Sequence, residues 1–279
     1  MGRVKIYIPK DALELLYWKD CLSPSKIGKI YNCDCVTVRT RMREYGIPKR
    51  SPSESRMRYK KFDFSGDPVE KAYMIGFRLG DLNVYQTSKK SSLIMVRCNT
   101  TQMVQVRLIE KMFSKYGKVT ISKGPHYRNI HCCLNKSFDF LIPKKQEIPA
   151  WIEDDDKTAA AFIAGYTDAE GNFLLNQGRA RFKIDSYDLK VLTWIVNKLT
   201  QKGVLVKFSC IAKEGQFYTL AYKYNGDLWR MSINEAISLL NFIRYIKPFT
   251  KHQTRLNQMI ICEENILHRI KRGSVKYAT

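Results

Sequence analysis

The sequence predicts an α+β chain: a small all-helical unit at the N-terminus, then two copies of one helix–strand–strand–helix–strand–strand–helix unit. Three observations predict it. Residues 72–84 (AYMIGFRLGDLNV) and 161–173 (AFIAGYTDAEGNF) are variants of one apolar helical stretch, each ending in an acid at the same register. The segments after each stretch repeat the same order of helix-like and strand-like patterns. Residues 9–46 carry three successive sets of helix start and stop signals.

Composition bounds the possibilities. Apolar residues make up 44% of the 279 and aromatics 12%, enough to bury a core, which excludes general disorder. Lys and Arg number 48 against 26 Asp and Glu, a net charge of +22. So large an excess answers a polyanion, with nucleic acid the leading candidate and a ribosome-associated basic protein the plainer one. No apolar run approaches the roughly 18 residues of a membrane helix. The start, Met-Gly-Arg-Val-Lys-Ile, has no signal-peptide core, and Ile6 stands where a myristoylation signal has Ser or Thr. The expectation is an intracellular protein, cytoplasmic or nucleoid-associated, with no membrane partner. Eight cysteines are scattered without a CxxC pair, and Cys33-x-Cys35 and His131-Cys132-Cys133 are too tight for a usual zinc site. Reduced, mostly buried thiols are expected.

In the helical unit (1–48), Pro9 suits a first helical turn, and Leu13, Leu16 and Tyr17 recur on one face. Ser23-Pro24 is an N-cap with a first-turn proline, opening a second helix with Ile27 and Ile30 inward. Asn32-Cys33-Asp34 forms a short turn whose Asp34 caps a third helix, with Val38 and Met42 inward and Gly46 ending it before Pro48. Two short helices about a three-residue turn make a helix-turn-helix pattern, similar to the small units of resolvases and sigma-like regulators. Thr37, Arg39, Thr40 and Arg43 are its candidate DNA contacts, with Arg41 leaning toward phosphate. The plainer alternative is a three-helix cap on the next domain. Residues 49–66, rich in Pro, Ser, Lys and Arg, predict a basic linker that tracks phosphates or is a solvated tether.

The repeat carries the chemistry. After the first stretch come a strand ending VRCNTT and a helix QVRLIEKMFSKYG; after the second, FKIDSY and LKVLTWIVNKLTQKG. Further on, residues 130–141 match 229–240, a strand end turning into a helix. Gly76 and Gly80 in the first stretch, and Gly165 and Ala169 in the second, lie four apart. A mid-helix glycine costs about 0.5–1 kcal/mol relative to alanine, so paired small residues argue for a side-chain-free stripe and close helix–helix approach. Packed on each other, the helices bring Asp81 and Glu170 together at two negative dipole ends. That arrangement asks for a cation and predicts a divalent-metal site. Arg179, Arg181 and Lys183 alternate onto one sheet face, opposite Phe182 and Ile184 and just after Gln177. Gln86, Ser88 and Lys90 alternate similarly in the first copy. Such faces suit a nucleic-acid groove, although an ordinary half-exposed sheet alternates in the same way.

GFRLGDLNV and IAGYTDAEG resemble the two LAGLIDADG motifs of single-chain homing endonucleases, the second more closely, from Ile163 through Asp168 and Glu170 to Gly171. The resemblance covers about 67 to 279, and an added helix-turn-helix is found in some relatives. It implies two pseudo-symmetric αββαββα halves (67–150 and 151–279) whose antiparallel sheets form a saddle on double-stranded DNA, in a monomer. It implies two or three Mg²⁺ ions between Asp81 and Glu170, and hydrolysis of both strands at a long asymmetric site. A basic residue near each metal is implied at Lys251 and at Lys144 or Lys145, with Asn99 and Asp185 positioning water. The first motif departs from the pattern in Leu82, for the closing glycine, and in Leu79, where many relatives have an acid. Two other readings share the scaffold: a catalytically inactive LAGLIDADG/helix-turn-helix regulator, and a maturase that binds its host intron RNA. Retention of both acids favours the nuclease.

Overall fold

In the computed structural model, residues 6–50, 59–88, 91–144, 147–219 and 221–275 are described. Helix α1 (Lys10–Glu14) runs into a π-helical turn (Leu15–Lys19) and is followed by α2 (Pro24–Ile30) and α3 (Cys35–Glu44). Local chemistry sets the boundaries. Ser23 Oγ accepts from the Lys26 amide, and Asp34 Oδ1 accepts from the Thr37 amide at 2.7 Å. A β-carbon on Gly28 would lie 2.5 Å from the Cys33 carbonyl oxygen, so glycine is what lets the connecting turn fold back on α2. These helices close over their own core of Ile8, Leu13, Tyr17, Ile27, Val38, Met42 and Ile47.

Two expectations fail here. Ile30 is 58% exposed at the C-terminal end of a short helix whose buried residues are Ile27 and Gly28. Arg41 is buried: its Nε donates to the Ile6 carbonyl at 3.1 Å and its guanidinium pairs with Glu44, so it ties the N-terminal segment down rather than facing phosphate.

The first repeat comprises α4 (Pro68–Gly80), β1 (Asn83–Gln86), β2 (Ile94–Thr100), α5 (Met103–Phe113), β3 (Val119–Lys123) and β4 (Arg128–Leu134). A short α6 (Ala150–Glu153) leads into the second: α7 (Asp156–Glu170), β5 (Gly171–Asn176), β6 (Arg179–Ser186), α8 (Leu189–Gln201), β7 (Lys207–Ala212), β8 (Leu228–Ile233) and α9 (Ala236–Ile246). Each repeat forms a four-stranded antiparallel sheet, in the orders β1-β2-β4-β3 and β5-β6-β8-β7. The chain is thus α+β, with the same strand order twice.

The repeats end differently. The first closes in a 3₁₀ segment (Lys136–Leu141) instead of the expected helix. Asn135 caps it, and Phe138 leaves helical geometry to pack edge-on against Tyr116, ring centroids 4.9 Å apart. The second repeat is extended by α10 (Gln253–Lys271), which no sequence signal above predicted. Asn265 of α10 clasps the β5–β6 hairpin, accepting from the Ala180 amide and donating to the Gly178 carbonyl. That hairpin turns on Gln177 (φ 50°) and Gly178 (φ 71°), a two-residue left-handed turn that matches strand twist.

One core runs through both repeats, from Tyr73 and Phe77 of α4 to Met259 and Ile266 of α10. All eight cysteines are free thiols; Cys98, Cys132 and Cys262 are buried, while the other five are half-buried instead of mostly buried. Among the described residues no helix is long and apolar enough to cross a membrane.

Candidate metal centre at the helix junction

Helices α4 and α7 lie against each other along their small residues. A β-carbon on Gly76 would collide with the Phe162 carbonyl and lie 2.9 Å from the Tyr166 nitrogen. One on Gly165 would collide with the Tyr73 carbonyl and lie 2.9 Å from the Phe77 nitrogen. At the C-terminal end, a β-carbon on Gly80 would lie 3.0 Å from Glu170 Oε1, so the Glu170 carboxylate rests against the residue preceding Asp81. Arg78 helps fix that end, donating to the carbonyls of Leu82 (2.6 Å) and Leu141 (3.0 Å). Leu79 and Leu82, the two departures in the first motif, are core residues.

The junction is electrostatically costly. Burial pushes Asp81 up to about 7, the charge of Glu170 adds to this, and a hydrogen bond from Gln105 and the charge of Arg255 oppose it. Gln105 is itself held by Thr100, whose hydroxyl donates to Gln105 Oε1 at 2.6 Å. Burial also raises Glu170, with Asp188 adding to it and Lys144 and Arg255 opposing. Carboxylates brought together at two helix C-termini hold protons more readily than free ones, and a cation bound between them would relieve the same repulsion.

A third acid lies behind them. Asp168 is buried, and its Oδ2 accepts from the Tyr73 hydroxyl (2.6 Å) and the backbone amides of Lys251 (2.8 Å) and His252 (3.0 Å). Its Oδ1 has no hydrogen-bond partner. Burial nevertheless pushes Asp168 up to about 6, against those hydrogen bonds and Arg255.

The structure places the expected basic residues unequally. Lys144 is close enough to act on Glu170. Lys251 gives Asp168 its backbone amide, but its ammonium lies over the Tyr73 ring at 4.2 Å. The charges acting on it most strongly are Glu70, Lys115, Asp67 and Asp168, neither motif acid among them. Arg255, one turn further along α10, instead acts on Asp81, Asp168 and Glu170 together. Two signals pointed here. The repeat has Tyr73 where the second copy has Phe162, and Asp168 where the first has Leu79, so each copy supplies half of one buried hydrogen bond. Arg255 falls on the buried stripe of α10 at i, i+4, i+7, i+11 with Met259, Cys262 and Ile266, a charged residue at a core register.

Among the described residues no group of three His, Cys, Asp or Glu side chains is arranged to hold a metal ion. Asp81 and Glu170 are a pair of hard oxygen donors, which suits Mg²⁺ or Ca²⁺ better than zinc and leaves further ligand positions to water and substrate phosphate.

The sheets present polar outer faces. In the second sheet Arg179, Arg181 and Lys183 share the face opposite Phe182 and Ile184, as expected, with Lys207 and Arg230 beside them across the ladder. Arg181 donates to the Asn234 carbonyl, and Asp185 is held by Arg230 through two hydrogen bonds of 2.6 and 2.7 Å. Gln177 sits at the exposed hairpin tip.

In the first sheet the register is offset by one residue from the expectation. Gln86 pairs with buried Ile94 and so shares the inner side with Val84; its amide donates to the Ser91 carbonyl at 3.0 Å. The cause is Leu82, whose burial sets Val84 inward and turns Asn83 and Tyr85 out. Ser88 lies in the exposed bend beyond β1, and Lys90 and Lys145 fall outside the described residues. The groups facing out are Asn83, Arg97, Asn99, Asn129 and His131, which line a recess of about 260 Å³ with Asp81. Arg97 Nε lies 3.1 Å from His131 Nδ1. Asn99 is therefore beside a motif acid, whereas Asp185 is engaged with Arg230. On α3, Arg39 and Arg43 are exposed and Thr37 and Thr40 half-buried.

No family model matches the chain. An uncharacterized protein of Methanocaldococcus jannaschii is 26% identical over 211 residues, spanning 72% of this chain and 74% of its own length. Among solved structures, I-DmoI in complex with DNA and Mn is 16% identical with a TM-score of 0.45, covering 66% of this chain and 98% of that one. The homing endonuclease I-WcaI bound to its DNA recognition sequence is 12% identical with a TM-score of 0.47, covering 68% and 86%. The N-terminal LAGLIDADG domain of DUF199/WhiA is 14% identical with a TM-score of 0.42, covering 72% and 92%.

Proposed function

We propose that this chain is a site-specific double-strand DNA endonuclease of the LAGLIDADG homing type, acting as a monomer and dependent on Mg²⁺. The observation that carries the reading is the junction of α4 and α7. Two helices spend glycines on a backbone-to-backbone approach whose local outcome is to set the Glu170 carboxylate against Gly80, next to Asp81. A divalent ion bound there supplies charge neutralisation and Lewis acidity for phosphodiester hydrolysis.

The chain's own residues do the rest. Asp81 and Glu170 hold the charge, Gln105 orients Asp81, and Asp168 locks α7 to the start of α10. The charge of Lys144 reaches Glu170, and a cation there suits charge developing on phosphate. The outer faces of the two sheets take the DNA, with Arg179, Lys183 and Lys207 tracking phosphates and Asn99 and Asn129 offering amides to base edges. Because the faces differ, the target is asymmetric.

We further propose a layout of a helix-turn-helix domain (1–48), a basic linker (49–66) and the repeats 67–150 and 151–279. The exposed Arg39 and Arg43, with Thr37 and Thr40, extend the footprint beyond the sheets. Residues 51–58 of the linker lie outside the described residues. An excess charge of +22 supports a polyanionic partner throughout.

A genomic or randomised double-stranded DNA library tests this. With Ca²⁺, retained fragments should share one long asymmetric sequence; with Mg²⁺, cut ends should map inside it. Specific retention with no cutting under any divalent metal replaces the nuclease with a DNA-binding regulator. Preferential retention of host intron RNA replaces it with a maturase.

A further inference from the structure

We propose that the helical unit holds a seat for one sugar–phosphate unit of the DNA backbone, in a recess walled by α3 and by Lys49 and Arg50 beyond its end. The inference deepens the reading above and rests on it, since it takes double-stranded DNA as the partner.

The recess has a volume of about 490 Å³. Arg39, Arg43, Lys49 and Arg50 line it, and no acidic residue does. Glu44, the acid adjoining Arg43, is paired with Arg41 instead. Tyr17, Met42 and Ile47, all residues of the unit's own core, supply an apolar floor. Four cations over an apolar floor suit a ligand that joins concentrated negative charge to an apolar body. A phosphodiester with its deoxyribose has both, and guanidinium and ammonium groups are its usual partners.

The basic arm is held in place before any ligand arrives. Gly46 (φ 67°) turns the chain at the end of α3, and the Ile47 amide donates to the Met42 carbonyl at 2.8 Å, which folds the next residues back on the unit. The Arg50 amide then donates to the Tyr17 hydroxyl at 3.0 Å, and its Nη2 donates to the Leu22 carbonyl at 2.7 Å. Its guanidinium also lies 4.3 Å from the centre of the Tyr17 ring. Lys49 and Arg50 therefore begin the basic linker as a fixed wall, and binding against a fixed wall costs less ordering entropy than binding against a tether.

The recess also lies where a backbone would pass. Arg39 and Arg43 belong to the exposed stripe of α3, with Val36 one turn before them. A recognition helix seated in the major groove is flanked by sugar–phosphate strands, and the arm walls the recess that opens beside those two arginines. Tyr17 is here a positioning residue, acting through Arg50.

The test acetylates the lysines of the full chain with N-hydroxysuccinimidyl acetate and follows Lys49 by mass spectrometry. The chain is treated alone, with a saturating mixed-sequence duplex, and with thymidine monophosphate at the same phosphate concentration. Duplex should slow acetylation of Lys49 about tenfold, and thymidine monophosphate should not slow it. Arg50→Met and Tyr17→Phe should each lose about half of that protection or more, although Tyr17→Phe removes no charge and keeps the ring. Lys49→Gln, at an exposed position, should lower the slope of log affinity against log salt by about 1. Where Arg50→Met or Tyr17→Phe does not fold, wild-type protection and the Lys49→Gln slope decide. Duplex bound while Lys49 reacts at its free rate, or an unchanged slope in Lys49→Gln, overturns the seat and leaves the reading of the chain as a DNA-binding protein standing. Equal protection by thymidine monophosphate overturns it in favour of a nucleotide pocket. Failure to bind any duplex overturns both.

Discussion

Gly76 and Gly165 make the same contact from opposite sides of the α4–α7 junction: each lies where a β-carbon would run into a carbonyl of the other helix, Phe162 for Gly76 and Tyr73 for Gly165. Because the obstacle is backbone, no rotamer change relieves it. Gly76→Ala and Gly165→Ala should each cost about 1–3 kcal/mol or more in urea denaturation. Gly80→Ala meets the side chains of Ala169 and Glu170 and should cost less. Equal costs at all three positions would mean that the helices separate easily.

His252 links stability to pH. Burial, aided by the charge of Arg255, depresses it to about 4 from the ordinary 6.5. As pH falls from 6.5 toward 4 the unfolded chain takes up a proton that the folded chain refuses, so stability is full above that window and lost within it, by at most about 3 kcal/mol. Asp81, raised to about 7, Asp168, raised to about 6, and Glu170, also raised, work in the opposite direction, so the difference between variant and wild type is what isolates the histidine. Between pH 6.5 and 4, His252→Gln should gain unfolding free energy relative to wild type as pH falls. Parallel curves would mean that the imidazole charges in the folded state.

The two sheets should respond differently to substitution. Arg179→Ala and Lys183→Ala remove outward cations from β6 and should each reduce the slope of log affinity against log salt by about 1 while weakening all sequences alike. Asn99→Ala and Asn129→Ala, beside Asp81 in the first sheet, should leave the slope unchanged and relax preference at particular base pairs. Salt titrations on matched and mutated targets separate the two outcomes.

On the helical unit, stability and DNA contact are separable. Asp34→Ala removes the cap on the Thr37 amide and should cost about 1 kcal/mol. Arg39→Ala and Arg43→Ala, both exposed, should leave stability unchanged and shorten the footprint on a bound fragment. An unchanged footprint would make residues 1–48 a structural cap.

Much of this was legible in the repeat. The small-residue spacing gave both motif helices and the meeting of their ends, because close helix approach has few other solutions. The alternation of Arg179, Arg181 and Lys183 gave the outer face of β6, since Phe182 and Ile184 had to go in. The outer face of β1 is not legible in the sequence because its four residues hold too short a pattern, and the deciding residue, Leu82, lies just before the strand. Residues 136–141 have helical composition but yield to the packing of Phe138. Lys251 has the residue type and sequence position of a basic partner to the second motif, yet its ammonium lies over the Tyr73 ring, while the charge of Arg255, four residues on, is the one felt by the acids; the repeat pattern, which ends before α10, does not distinguish the two.

The most direct test takes the sequence recovered from the library and measures binding and cleavage of that single duplex by wild type, Asp81→Asn and Glu170→Gln. The account predicts Mg²⁺-dependent cutting of both strands by wild type, and loss of cutting by a factor of 10² or more in either variant while binding in Ca²⁺ stays within a few-fold. Cutting that survives either substitution, or binding lost together with cutting, would contradict the assignment of Asp81 and Glu170 as the metal-holding pair.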